Sequence, residues 1–215
     1  GQGSVARGIF LPSTRDYWPG QESIFPRYNP EQAKAWLDAA GWKVGSDGVR
    51  AKEGQKLSLT FLGWVPEQEE LATLLQAQLK TVGIDVQVRQ AAISAYFPGL
   101  RRADHELWSL DTPYPSILEL MHFWFWSGNI PSPNRANWND KRTDELLTIA
   151  RGARTDEARA KAVQEIQKIM ADNQLVVPIW HRALIVATRA ELKDFRPHGV
   201  YSGGFYKLLD ARLDK

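Results

Sequence analysis

An α/β fold, with a mixed sheet flanked by helices, is predicted by three observations. The strand-like LSLTFL at 57–62 leads into a helical period that opens at Pro66, and the alternating IDVQVRQ follows at 84–90. Strand, crossover helix and strand in that order make a βαβ unit, whose strands are expected to run parallel. Further helical periods at 141–150 and 156–172 are followed by strand-like runs, so the two kinds of element stay interspersed.

Residues 1–28 hold Pro12, Pro19, Gly20 and Pro26 without periodicity and read as an ordered loop or arm. The first helix is predicted from Pro30 to Ala40. Asn29 serves as its cap, Pro30 suits the first helical position, and Gly41 stops it. Ala33, Trp36, Leu37 and Ala40 share one face of that helix. The polar, turn-rich 45–55 reads as a small hairpin before the strand at 57–62. The helix from Pro66 to about Thr81 carries Leu71, Leu74, Leu75 and Leu79 at core spacing, and Gly83 closes it. A short helix at 94–102 and a third strand at 106–110 come next. The segment 111–140 starts in a turn, passes through a short apolar run and ends in a Pro- and Asn-rich loop. Thr155 is positioned to cap the helix at 156–172, whose apolar line is Ala162, Val163, Ile166, Ile169 and Met170. The tail offers strands at 176–180, 184–187 and 205–208. The organisation expected is an arm over 1–28, one α/β lobe over 29–194 and a return segment over 195–215.

Composition removes several classes of function. With 215 residues the chain can bury roughly 70% of the surface it exposes when unfolded, enough for a sizeable core. It has no cysteine, so disulfides, thiolate metal sites and cysteine nucleophiles are excluded. Twenty-seven basic against 25 acidic residues leave a formal charge of +2, which is no footprint for nucleic acid or for an anionic membrane surface. No stretch approaches the length of an uncharged apolar span, and the opening GQGSVARGIF has neither the basic nor the apolar region of a signal peptide. The heavy item is tryptophan. Nine of them need a core, a groove or an interface.

Catalytic signatures are missing. His105, His122, His181 and His198 show no metal-ligand spacing with one another. No glycine run forms a phosphate cradle, and there is no nucleophile elbow. Acidic pairs such as Glu69–Glu70 and Asp156–Glu157 stand at helix starts, where the helix dipole accounts for them. The tryptophan-rich centre is more informative. Trp108 ends a strand, Asp111 and Tyr114 follow in the turn, and Trp124 and Trp126 flank Phe125. Such groups at a strand end can line a pocket with aromatic walls and a few polar anchors. For Trp124 and Trp126 two readings stand: a packed corner under the Asn–Pro loop, or the lining of a groove.

Five segments then carry a resemblance to a known family. In order they are YNPEQAKAWLDAAGW (28–42), DGVRAKEGQKLSLTF (47–61), LLQAQLKTVGIDVQVRQ (74–90), NRANWNDKRTDELLTIA (134–150) and EIQKIMADNQLVVPIW (165–180). Together they resemble the periplasmic solute-binding proteins of the oligopeptide and dipeptide group, which deliver peptides, nickel chelates and some sugars to ABC importers. Each segment alone is weak; five in the right order are specific. The resemblance covers the C-terminal part of that family. It implies one lobe of a two-lobed binding protein together with a return segment, with the opposite cleft wall supplied by an N-terminal lobe outside this chain.

What the resemblance implies for function is capture without catalysis. A peptide or peptide-like solute would be enclosed by hinge closure and passed to permease subunits of an ABC transporter, outside the cytoplasmic membrane, with no cofactor, metal or nucleic acid. The dipeptide-binding members carry an acidic turn after the strand corresponding to Trp108, a clamp for the ligand's ammonium. Here the turn reads Asp111-Thr112-Pro113-Tyr114-Pro115-Ser116: Asp111 keeps the acidic position and Pro115 the proline, while Tyr114 and Ser116 replace flanking acids. That departure speaks against a free dipeptide amino terminus and leaves longer peptides, a modified solute or a sugar-like ligand open. The ligand-binding residues this implies are Trp108, Asp111, Tyr114, Ser116 and Trp124. A stand-alone protein-interaction module built on the same lobe is the second reading, and a hydrolase ranks last.

Overall fold

The computed structural model describes residues 3–109, 116–183, 185–197, 206–207 and 211–214. In chain order the first elements are β1 (Gly3–Val5), α1 (Gln21–Ile24) and α2 (Pro30–Ala39). A three-strand excursion follows: β2 (Lys43–Val44), β3 (Arg50–Lys52) and β4 (Gln55–Lys56). Next come β5 (Ser58–Gly63), α3 (Pro66–Lys80), β6 (Asp85–Gln90), α4 (Ile93–Arg102) and β7 (Leu107–Trp108). Three further helices follow: α5 (Ile117–Phe125), α6 (Lys141–Gly152) and α7 (Asp156–Asp172). The tail adds β8 (Trp180–Arg182), β9 (Leu192–Lys193), β10 (Arg196–Pro197), β11 (Tyr206–Lys207) and β12 (Arg212–Leu213).

The class is α/β, with sheets flanked by helices. Among the described residues the strands divide into five small sheets rather than one mixed sheet. The chain also forms two compact units, one of residues 27–111 and one joining 1–26 to 112–215. This cut differs from the arm, lobe and return segment expected at 1–28, 29–194 and 195–215. Its physical reason is pairing at long range. β1 lies antiparallel to β8, with Val5 opposite Trp180, and α1 packs on α7. The first residues are therefore built into the second unit.

In the unit of residues 27–111, β5 is the centre of a parallel sheet ordered β6-β5-β7. Successive residues of a strand face opposite sides, and β5 uses both. Phe61 packs with Ala72 of α3 and Val86, while Leu62 packs with Tyr96 and Leu100 of α4. Gly99 lets α4 approach closely: a Cβ there would stand 3.1 Å from Leu62 Cδ2. The predicted hairpin is present as β2-β3-β4. Glu53 and Gly54, both at positive φ, form its two-residue turn between Lys52 and Gln55. Arg50, 3% exposed, ties this excursion down. Its Nε donates to the Val82 carbonyl, and its Nη1 donates to the Trp42 carbonyl and to Asp38, each at 2.7 Å.

Two expected apolar faces are not buried as the spacing implies. No residue of α2 is buried, and Trp36 is 61% exposed. On α3, Leu74 points outward and Ala72 takes the buried place. The cap readings hold: Asn29 accepts from Gln32 N at 3.0 Å and Thr155 from Ala158 N at 3.2 Å.

The other unit is organised on α5, α6 and α7. Leu118, Met121, Phe125, Leu146, Leu147, Val163, Ile166 and Met170 form its core, with Phe10 added from the first residues. The short apolar run expected after the turn is α5, nine residues long. Asp140 starts α6 by accepting from Thr143 N and Thr143 Oγ1 at 2.6 and 2.8 Å. Gln21, buried, bonds both the N–H and the carbonyl of Phe10, and Arg159 pairs with Asp16 at 3.0 Å. The strand expected at 176–180 begins only at Trp180, and the described residues 185–187 are not strand. Of 205–208, Tyr206–Lys207 form β11, opposite β10.

Candidate functional site

In the unit of residues 27–111 the carboxyl ends of β5 and β7 meet at one edge of the parallel sheet. Open α/β sheets place ligands at such ends. Trp108, the last residue of β7, is half-buried there. It packs against the Leu62, Tyr96 and Leu100 cluster, with the His105 ring edge-on at 6.5 Å. Trp64 follows directly on β5 and stands 5.9 Å from Tyr96 and 6.3 Å from Phe97, ring to ring. Gln68, in the first turn of α3, spans the two strand ends. Its Oε1 accepts from Trp64 N and its Nε2 donates to the Ser109 carbonyl, both at 2.8 Å. Tyr96 Oη donates to the same carbonyl at 3.4 Å. The edge thus offers aromatic rings on a fixed backbone. His105 adds no fixed charge, because burial holds its imidazole below the usual histidine pKa.

Ser116 and Trp124 belong to the other unit. Ser116 caps α5, its hydroxyl accepting from Glu119 N at 3.4 Å. Accepting that bond leaves the hydroxyl its own proton to donate. Trp124 is partly buried and packs against the helical core. Its neighbour Trp126 is 38% exposed and stacks on His122, centroids 4.9 Å apart. The Asn–Pro loop beyond is braced by Asn134, fully buried. Asn134 Nδ2 donates to the Trp126 and Trp138 carbonyls, and its Oδ1 accepts from Trp138 N. Trp138 Nε1 in turn donates to Thr143 at 3.0 Å. Asp111 and Tyr114 lie outside the described residues.

Of the five predicted residues, then, Trp108 stands at a strand end in one unit, and Ser116 and Trp124 stand on one helix in the other. Trp64, Gln68 and Tyr96 escaped the sequence reading. A signal for Trp64 was present: it lies between a strand and a Pro-initiated helix, which places it at the strand's carboxyl end. Gln68 and Tyr96 had none, since their partner Ser109 is remote in sequence. Among the described residues no group of three or more His, Asp or Glu side chains could hold a metal ion, and no helix is long and apolar enough to cross a membrane.

Comparison with known proteins supplies the family. Oligopeptide-binding protein AppA of Bacillus subtilis (strain 168) is 26% identical over 211 residues, 92% of this chain and 37% of that protein. The probable D,D-dipeptide-binding periplasmic protein DdpA of Escherichia coli (strain K12) is 28% identical over 202 residues, 91% of this chain and 36% of that one. The chain therefore spans little more than a third of the length of these curated relatives. The solved structure of Bacillus subtilis AppA in complex with a nonapeptide superposes with a TM-score of 0.78 at 22% identity, over 100% of this chain and 43% of that one. The family model described as bacterial extracellular solute-binding proteins, family 5, middle region, matches residues 1–129. The chain belongs to the bacterial extracellular solute-binding proteins of family 5, a family of binding proteins rather than enzymes.

Proposed function

We propose that this chain is part of an extracytoplasmic solute-binding protein that captures a peptide or a related small solute and hands it, chemically unchanged, to the permease of an ABC importer. The observation that carries the reading is family membership, together with similarity to an oligopeptide-binding protein along 92% of the chain. Trp108 at the carboxyl end of a parallel strand supports it, because solutes bind at that edge in open α/β sheets. In this reading Trp108 and Asp111 face the solute, with Asp111 pairing with its ammonium; Tyr114, Ser116 and Trp124 are further candidate solute contacts, each to be tested by itself; and an N-terminal lobe of the same protein supplies the opposite wall. A carboxylate opposite an ammonium in a closed, water-poor cleft is worth a charge-assisted bond, while the aromatic rings accept side chains with little discrimination.

Titration calorimetry of the complete protein against di-, tri- and longer peptides, an opine and a nickel chelate tests the reading. Saturable binding of at least one peptide class is the expected result. Replacing Asp111 by Asn is expected to weaken that binding by about tenfold or more for peptides with a free amino terminus, and to leave N-acetylated peptides unaffected. Absence of binding across all the classes overturns the proposal; unchanged affinity in Asp111→Asn overturns the clamp.

A further inference from the structure

The contact between α5 and α6 leaves an open cavity of about 270 Å³, lined by His122, Trp126, Leu147, Thr148 and Arg151. Helical spacing assembles it. His122 and Trp126 are four residues apart at the end of α5, and Leu147 and Arg151 are four apart on α6. Arg151 Nη1 lies 2.8 Å from His122 Nε2. A guanidinium has no lone pair, so it is the donor and Nε2 the acceptor, which makes the imidazole neutral with its proton on Nδ1. Burial, with Arg151 adding to it, also holds the His122 pKa below the usual histidine value, against the opposing pull of Glu119 and Asp144.

Arg151 is exposed, and among the described residues it has no carboxylate partner. Among the described residues its other N–H donors make no hydrogen bond. The acids nearby are differently placed: Asp144 accepts from the N–H of Ser127 at 2.9 Å and from its hydroxyl, and Glu119 is an exposed residue of the first turn of α5. Thr148 donates its hydroxyl proton to the Asp144 carbonyl at 2.9 Å, and among the lining residues Arg151 is the cation. The remaining walls are apolar: Leu147, and the indole of Trp126 stacked on a neutral imidazole.

We propose that this cavity is a binding site for a small organic carboxylate with an apolar or aromatic body. The carboxylate sits on the Arg151 guanidinium, in the forked geometry that matches the two groups. The body lies against Trp126 and Leu147. An inorganic anion would leave the apolar wall unused, and a neutral apolar molecule would leave the cation unpaired, so both features together select the amphipathic acid. The site is contained in α5, α6 and the residue after α5, and it does not depend on the transport reading.

The test uses the 215-residue chain with isotope-labelled histidine and tryptophan, titrated with phenylacetate and, separately, phenylacetamide. Phenylacetate is expected to shift the His122 and Trp126 resonances saturably, with the amide weaker by about tenfold or more. Arg151→Gln, at an exposed position, is expected to reduce phenylacetate binding to the level of the amide while keeping the thermal midpoint. Trp126→Ala is expected to weaken both probes. Equal responses to acid and amide, or an Arg151→Gln variant that binds phenylacetate as well as the parent, overturn the proposal.

Discussion

Burial sets the charge state of His105. The ring is partly buried edge-on to Trp108, and its Nδ1 has no hydrogen-bond partner among the described residues. Removal from water opposes the imidazolium most strongly; Arg89 adds to this and the neighbouring acids Glu106 and Asp104 counter it, so the folded pKa lies below the ordinary value of 6.5. The unfolded chain therefore binds the proton first. Stability contributed by the neutral ring is full above about pH 6.5 and is lost as pH falls through the lower folded value. His122 and His181 are shifted in the same direction, also chiefly by burial. Urea denaturation at pH 7.5 and 5.5 is expected to show lower stability at the acid value, with a smaller difference between the two in His105→Gln. An unchanged difference in that variant contradicts the assignment. None of this was legible beforehand. The sequence marks His105 only as a histidine beside a strand, whereas its environment is made by Trp108 and the neighbouring charges after folding.

At the scale of elements, caps and strand order were the legible part. Asn29, Pro66 and Thr155 mark helix starts because capping and first-turn chemistry acts over three residues and needs no distant partner. Likewise β5-α3-β6 follows from two alternating segments around one helical period. Which face of a helix is buried was less legible. On α7 the apolar line marks the core, with Ile166 fully buried against α5 and α6 residues. On α3 the same logic selects Leu74, yet that residue is 63% exposed and Ala72 is fully buried. The leucine stripe is wider than the contact the sheet offers: Ala72 is buried with Phe61 and Val86, and Leu75 and Leu79 are only partly buried against them. Two truncations separate the cases. Ile166→Ala is expected to cost about 3 kcal/mol, from lost burial and the cavity left behind, and Leu74→Ala about 0.5 kcal/mol or less. Denaturant midpoints measure both; equal losses would mean that Leu74 is covered in solution.

For the whole molecule, the division into two compact units has a direct consequence. Residues 27–111 carry their own apolar clusters around Phe61 and Leu62 and their own buried Arg50 anchor. A segment of 27–111 produced alone is therefore expected to unfold cooperatively on heating; a gradual, non-cooperative loss of helix signal would show that its core is borrowed from elsewhere. The sequence by itself determined the α/β class, the starts of the helices at 30, 66, 141 and 156, the βαβ unit and, through five ordered segments, the family. These rest on propensity, periodicity and capping, which act within a few residues. Tertiary structure alone decided that β1 pairs with β8, that Gln68 joins two strand ends, and that Arg151 meets His122 above a cavity. The physical reason is sequence separation. Those contacts form only once chain entropy has been spent on closing long loops, and no local pattern of residues records which loops will close.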